Sequence, residues 1–206
     1  MKKYLLILGI LSMNVLASPL DNLSVYGGLG LGGEATLKTD GNSDSADADG
    51  MNINGGVRYL FKINDTVSVG PFVDYMSETK FEGGIKGSAL SYGVSGKYQD
   101  KSGVYGILSL GLNSVDTNVG EVLAENSELL LNYLGYSGSV SSKVKNGATI
   151  MATVGYMVNE NIAVEAGYRN ISFNVDSIVQ VDGLGDSKLK EDLNYSTFTL
   201  GGAYHF

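Results

Sequence analysis

Two arginines, Arg58 and Arg169, and one histidine, His205, are the scarce ionisable side chains of a 206-residue sequence that has no cysteine. Without Cys there is no disulfide frame, thiolate zinc site or cysteine nucleophile, and one His excludes a multi-His metal centre. Gly28-Leu-Gly-Leu-Gly-Gly33 has the spacing of a dinucleotide-binding turn, but such a turn must open a helix, and none is signalled after it. Asp40-Gly-Asn42-Ser-Asp44 begins like a calcium loop. Its sixth position is Ser45 rather than Gly and its twelfth is Met51 rather than Glu, so it reads as an acidic solvated loop. His205 sits beside the C-terminus on an inward position at the short-turn end, where a packed or hydrogen-bonded histidine is expected rather than a catalytic one. The expectation is a protein with no catalytic residue, no metal site and no cofactor.

One constellation survives. Arg58, Glu165, Arg169, Asp74 and Glu34 all fall on the polar side of segments that alternate apolar and polar residues. Such segments put successive side chains on opposite faces of a strand. Eight are predicted, at residues 24–38, 51–62, 67–77, 89–99, 104–113, 148–158, 162–171 and 194–206. In residues 162–171, Ile162, Val164, Ala166 and Tyr168 oppose Glu165 and Arg169; in 51–62, Met51, Ile53, Val57, Tyr59 and Phe61 oppose Asn52, Asn54 and Arg58.

The connectors separate a soluble sandwich from a membrane barrel. Ile63–Thr66, Asp100–Gly103 and Asn159–Asn161 are short; Thr39–Gly50, Glu78–Ser88, Ser114–Gly147 and Ser172–Leu193 are long, and the two kinds alternate. Short turns at one end and long loops at the other mark an outer-membrane barrel with its apolar side in lipid. Aromatics gather near the strand ends. Tyr59, Phe61, Tyr98, Tyr156, Tyr204 and Phe206 lie by the short turns, with Tyr75, Tyr92 and Tyr168 by the long loops. A one-residue register shift would turn both arginines into lipid, at about 2–4 kcal/mol each near the midplane. The predicted fold is therefore all-β, an eight-stranded antiparallel up-and-down transmembrane β-barrel. Its narrow lumen requires charges to pair: Arg58 with Glu165, and Arg169 with Asp74 or Glu34. Pro71, mid-strand, should mark a bulge. Ser127–Leu134, apolar within the third long loop, should form a short helix or an added hairpin that would make ten strands.

Lys2 and Lys3 precede an apolar run from Tyr4 to Leu16, and Val15-Leu16-Ala17 puts small side chains before a cleavage point. That is a secretory signal peptide over residues 1–17, followed by a barrel domain over 18–206. The net charge is −8 and excludes nucleic acid as an expected partner. Removal of the two lysines makes it two units more negative, and the long loops carry nearly all of that charge.

Gly147–Asn170 resembles the last hairpin of the OmpX-like and opacity-protein family of small outer-membrane barrels. The ending Thr199-Leu-Gly-Gly-Ala-Tyr-His-Phe206 resembles the signal read by the bacterial barrel-assembly machinery, with Thr199, Gly201, Tyr204 and Phe206 in its polar, Gly and two aromatic positions. The resemblance implies a bacterial outer-membrane location of Gram-negative type and a monomeric barrel. It implies no single activity, because the family includes adhesins and narrow pores. Expected partners are outer-membrane lipid and lipopolysaccharide, the assembly machinery during biogenesis, and a host or neighbouring-cell surface molecule met by the loops. A structural or surface-interaction role is the first expectation and a narrow porin-like channel the second.

Overall fold

A computed structural model describes residues 21–39, 42–81, 84–182 and 185–206. The predicted signal peptide, residues 1–17, lies outside the described residues, as do Asp40 and Gly41. The strands are β1 (Leu23–Thr39), β2 (Asn42–Asp49), β3 (Asn52–Tyr59), β4 (Phe61–Lys62), β5 (Val67–Phe81), β6 (Lys86–Gln99), β7 (Val104–Thr117), β8 (Gly138–Met157), β9 (Ile162–Val181) and β10 (Gly185–His205); a helix, α1 (Val119–Tyr133), follows β7. Every pairing is antiparallel, and β10 returns to pair with β1, so the sheet closes. β2, β3 and β4 follow one another along a single stave between β1 and β5. The ring thus has eight staves. The third long connector adds a helix rather than a hairpin, which removes the ten-strand alternative.

The short turns are built by side chains the sequence displays. Asn64 Oδ1 accepts from the amides of Thr66 and Val67, and Asn159 Oδ1 from those of Asn161 and Ile162, each at 2.8–2.9 Å. Asp100 does the same with Ser102, accepting from its amide at 2.8 Å and its hydroxyl at 2.5 Å. Those bonds hold the Asp100 carboxyl below its ordinary pKa. Gly103 closes that turn at a φ of 87°, a left-handed conformation that glycine enters without strain.

At the other end the strands run well beyond their predicted limits. β9 continues to Val181 and β10 begins at Gly185, so most of the fourth long connector is a projecting hairpin rather than a loop. Along β9 the polarity inverts. Ile162, Val164 and Tyr168 are outward and 41–52% exposed; above them the outward positions are Asn170, Ser172, Asn174 and Asp176. The inward row passes from Glu165 and Arg169 to Ile171, Phe173 and Val175, all buried. β10 inverts at the same level, between outward Phe198 and Ser196. Below this line the wall is apolar outside and polar inside, as in lipid. Above it, the wall has the inside-out order of a water-soluble sheet. The inward side chains there, with Met76, Ala89, Leu193 and Tyr195, form one apolar core that Val119 of α1 also enters.

α1 shields a sheet edge. β7 pairs with β8 only up to Gly147, so the upper part of β8 would be left open. The helix packs along it, and Glu128 Oε1 accepts from the amide of Val140 at 3.2 Å. Gly135, at a φ of 80°, ends the helix, with Tyr136 N donating to Leu131 O at 2.9 Å.

Two expectations are corrected here. Pro71 carries no bulge: it pairs with Val94 in unbroken register on β6, and β3 and β4 share one register against β5 across it. Its missing N–H is instead accommodated where strand pairing lapses at Leu60, whose amide donates to Asn22 O at 2.8 Å. The second concerns Glu34. A bulge between Leu31 and Gly33, with Gly32 at a φ of 60°, flips the alternation of β1. Ala35 and Leu37 turn into the core, and Glu34 turns out to solvent.

Candidate functional site

The lumen is where inward strand positions bring charges of opposite sign together, and its geometry follows from strand phase. Arg58 on β3 and Glu165 on β9 are inward residues on staves across the barrel from each other. Arg58 Nη1 donates to Glu165 Oε1 at 2.8 Å and Nη2 to Oε2 at 3.3 Å. This fork-to-fork pairing is the strong form of a charge-assisted bond. Tyr105 on β7 donates its hydroxyl to the same Oε1 at 2.8 Å, and the Arg58 guanidinium stacks 3.6 Å over the Tyr26 ring. One level higher, Arg169 Nη2 lies 2.6 Å from Asp74 Oδ1, with angles that make it a charge contact rather than an aligned hydrogen bond. Arg58, Arg169, Asp74 and Glu165 are all at least 93% buried.

Of the five charges predicted for the lumen, four meet in these two pairs. Glu34 does not join them: the Gly32 bulge leaves it exposed, within 3.5 Å of the Thr36 hydroxyl that donates to it. Asp74 thus stands alone opposite Arg169.

Hydroxyl and amide pairs fill the remaining wall. Ser95 and Ser109 are 2.6 Å apart, and Ser91 and Thr149 2.9 Å. Asn113 donates to the carbonyls of Ala148 and Ser172 and accepts from Gly147 N, which ties down the β8 bulge between Lys145 and Ala148. The cavity left among Tyr26, Asn54, Arg58, Glu165 and Arg169 is about 30 Å³, the scale of a water or two.

Two participants escape sequence reasoning as site residues, Tyr26 and Tyr105. Their signal is an aromatic on the polar side of a strand in a chain rich in glycine. A Cβ on Gly155 would fall within the Tyr105 ring, and one on Gly56 would meet the Tyr26 ring and the Val73 carbonyl. Those glycines leave the space the rings occupy. Lys97 Nζ lies 4.1 Å from the centre of the Tyr105 ring.

At the short-turn end His205 Nδ1 and Ser24 Oγ are 2.6 Å apart, and His205 packs edge-on to Tyr105. Of the expected assembly positions, Thr199 and Gly201 face inward, while Tyr204 and Phe206 face outward with ring centroids 4.8 Å apart. The glycine run Gly28–Gly33 lies within β1 and opens no helix. Among the described residues no group of three His, Asp or Glu side chains is placed to hold a metal ion.

The sequence profile of the outer membrane protein beta-barrel domain matches residues 5–206. None of the curated proteins matches the sequence. Solved structures resemble this chain over most of its length. Neisserial surface protein A is 16% identical, with 90% of this chain and 97% of that chain covered and a TM-score of 0.49. The outer membrane protein OprG from Pseudomonas aeruginosa is 17% identical, with 89% and 95% covered and a TM-score of 0.47. The attachment invasion locus protein Ail of Yersinia pestis is 15% identical, with 89% and 98% covered and a TM-score of 0.39.

Proposed function

This chain belongs to the outer-membrane β-barrel family and resides in the outer membrane, and from that footing we propose that it is a closed barrel that acts through its extracellular surface. The observation that carries this reading is the pair of charge contacts, Arg58–Glu165 and Arg169–Asp74, set one above the other across a lumen already narrowed by Tyr26 and Tyr105. A conduit would need both pairs broken at once, and each break strands a buried charge. The extracellular hairpins, by contrast, stand clear of lipid on a packed apolar core.

In this reading residues 1–17 are a signal peptide and 18–206 the mature barrel. The surface meets a molecule on a host or neighbouring cell. Its exposed carboxylates, such as Asp44, Asp47, Asp116 and Asp192, favour a cationic partner or divalent-ion bridges to lipopolysaccharide. That attraction is screened over about 8–10 Å at physiological ionic strength, so binding should weaken in high salt.

Two measurements test it. The refolded protein in a planar bilayer should show no sustained conductance; a stable open level from the unaltered protein would restore the narrow-channel alternative. Protease added to whole cells should cut at the α1–β8 connection, Leu134–Ser137, and spare Asp100–Gly103 and Asn159–Asn161. Cleavage confined to those short turns would invert the topology and remove the surface role.

Biogenesis gives a further expected result. Phe206→Ala should lower the amount of protein reaching the outer membrane while the purified variant still refolds in detergent, because Phe206 closes the proposed assembly signal and is 43% exposed. Normal surface levels would show that the assembly machinery reads something else.

A further inference from the structure

Above the Arg169–Asp74 pair the barrel contains an apolar pocket. We propose that this pocket receives the alkyl end of a small neutral molecule from the extracellular side. The inference is independent of the surface-interaction reading.

The pocket is about 50 Å³ and is lined by Met76, Phe81, Ile85, Ala89, Val119 and Ile171 among others. Its floor is fixed by strand phase. Met76 is the next inward residue above Asp74, and Ile171 the next above Arg169. The ion pair therefore closes it below, which makes it a dead end rather than a passage. Val119, 1% exposed, brings the first turn of α1 against it. The upper margin is formed by small and polar residues, Gly87, Ser88 and Thr117, near the ends of β6 and β7.

The chemistry of the guest follows from the lining. Ser88, Thr117, Asn194 and Tyr195 are the polar residues of a lining otherwise apolar, and the Tyr195 hydroxyl already accepts from Asn52 Nδ2 at 2.8 Å. A polar guest would leave its own groups unpaired there, whereas a wholly apolar cavity stays dry and takes apolar guests. A cavity of about 150 Å³ admits benzene; this one is a third of that, so the guest enters end-on, as a chain terminus does. Small residues keep the space open. Ala89, 2% exposed, and Ala35 put methyl groups where a leucine would fill the gap among Phe, Met and Ile neighbours. Net charge selects against fatty acids: Lys80 and Lys86 are exposed beside the margin, but Asp47, Asp116 and Asp192 are exposed on β2, β7 and β10 and the long loops are negative in sum, so a carboxylate is repelled on approach.

The test uses the full chain refolded in detergent micelles, with methyl resonances followed as 1-octanol or octanoate is added. Octanol also enters the micelle, so outward Leu200 should shift without saturating. Ala89 and Ile171 should shift to saturation. Ala89→Leu, folded as judged by its unboiled gel mobility, should weaken that saturable response at least tenfold; Ala35→Leu serves if Ala89→Leu does not fold. Octanoate should bind at least tenfold more weakly than octanol. An Ile171 response that is as linear as that of Leu200, or a saturable one untouched by the leucine substitution, overturns the pocket. Equal affinity for octanoate overturns the neutral-guest assignment.

Discussion

Arg58→Ala should lower the unfolding midpoint of the refolded barrel by an amount equivalent to about 3–5 kcal/mol, the usual cost of removing one partner of a buried ion pair. Much of that cost is the stranding of Glu165, which then keeps only the Tyr105 hydroxyl at 2.8 Å. The double variant Arg58→Ala/Glu165→Gln should therefore be more stable than the sum of the single changes predicts. The measurement is a double-mutant cycle by urea unfolding in one lipid or detergent system. Strict additivity would mean that the two side chains, joined by bonds of 2.8 and 3.3 Å, are energetically independent. The same cycle on Arg169 and Asp74 should give a smaller coupling, because that contact is close but lacks hydrogen-bond alignment. Stability is not the reason to expect such pairs: a well-packed apolar substitute is often neutral or better. In the closed-barrel reading proposed above, their consequence is a lumen blocked at two levels.

Leu108→Arg should cost about 2–4 kcal/mol in a lipid bilayer, the penalty for a cationic side chain on the lipid face near the midplane. Leu108 is outward, 52% exposed and central in its row on β7, between Val104 and Leu112. Its cross-strand neighbours Gly96 and Ala152 offer neither a partner nor cover. Ser196→Arg, also outward but above the polarity inversion on β10, should cost only about 0.5–1.5 kcal/mol, the scale of a lost hydrogen bond, because its hydroxyl accepts from Tyr168 Oη and Asn170 Nδ2 at 2.9 Å each. The contrast locates the lipid boundary by energy. Equal costs at both positions would place Ser196 in lipid and invalidate the boundary drawn between Phe198 and Ser196.

The lipid-crossing part of this protein is legible in its sequence. Outward rows such as Ile162, Val164, Ala166 and Tyr168 repeat every second residue, and a strand has that period whatever it packs against. The three short turns are legible for a similarly local reason, since Asn64, Asp100 and Asn159 bond backbone groups two or three residues on. The pairing of Arg58 with Glu165 is readable because so narrow a barrel leaves an inward arginine few carboxylates to meet.

The half of the barrel at the long connectors is not legible in the same way. Ile171, Phe173 and Val175 alternate as regularly as the row below, but on the opposite parity, so a search for one continuous apolar face stops at Tyr168. Where lipid gives way to water, the favourable side for an apolar residue changes from outside to inside, and alternation alone does not say which solvent a strand meets. The partner of Arg169 was open for a related reason. Period-two reading places Glu34 in the lumen; the bulge at Gly32 ejects it, and only the pairing of β1 with β10 reveals that bulge. Sequence by itself determined which residues alternate and where the chain turns. The closed sheet decided which face each residue shows, because a single inserted residue in one strand reverses every side chain beyond it.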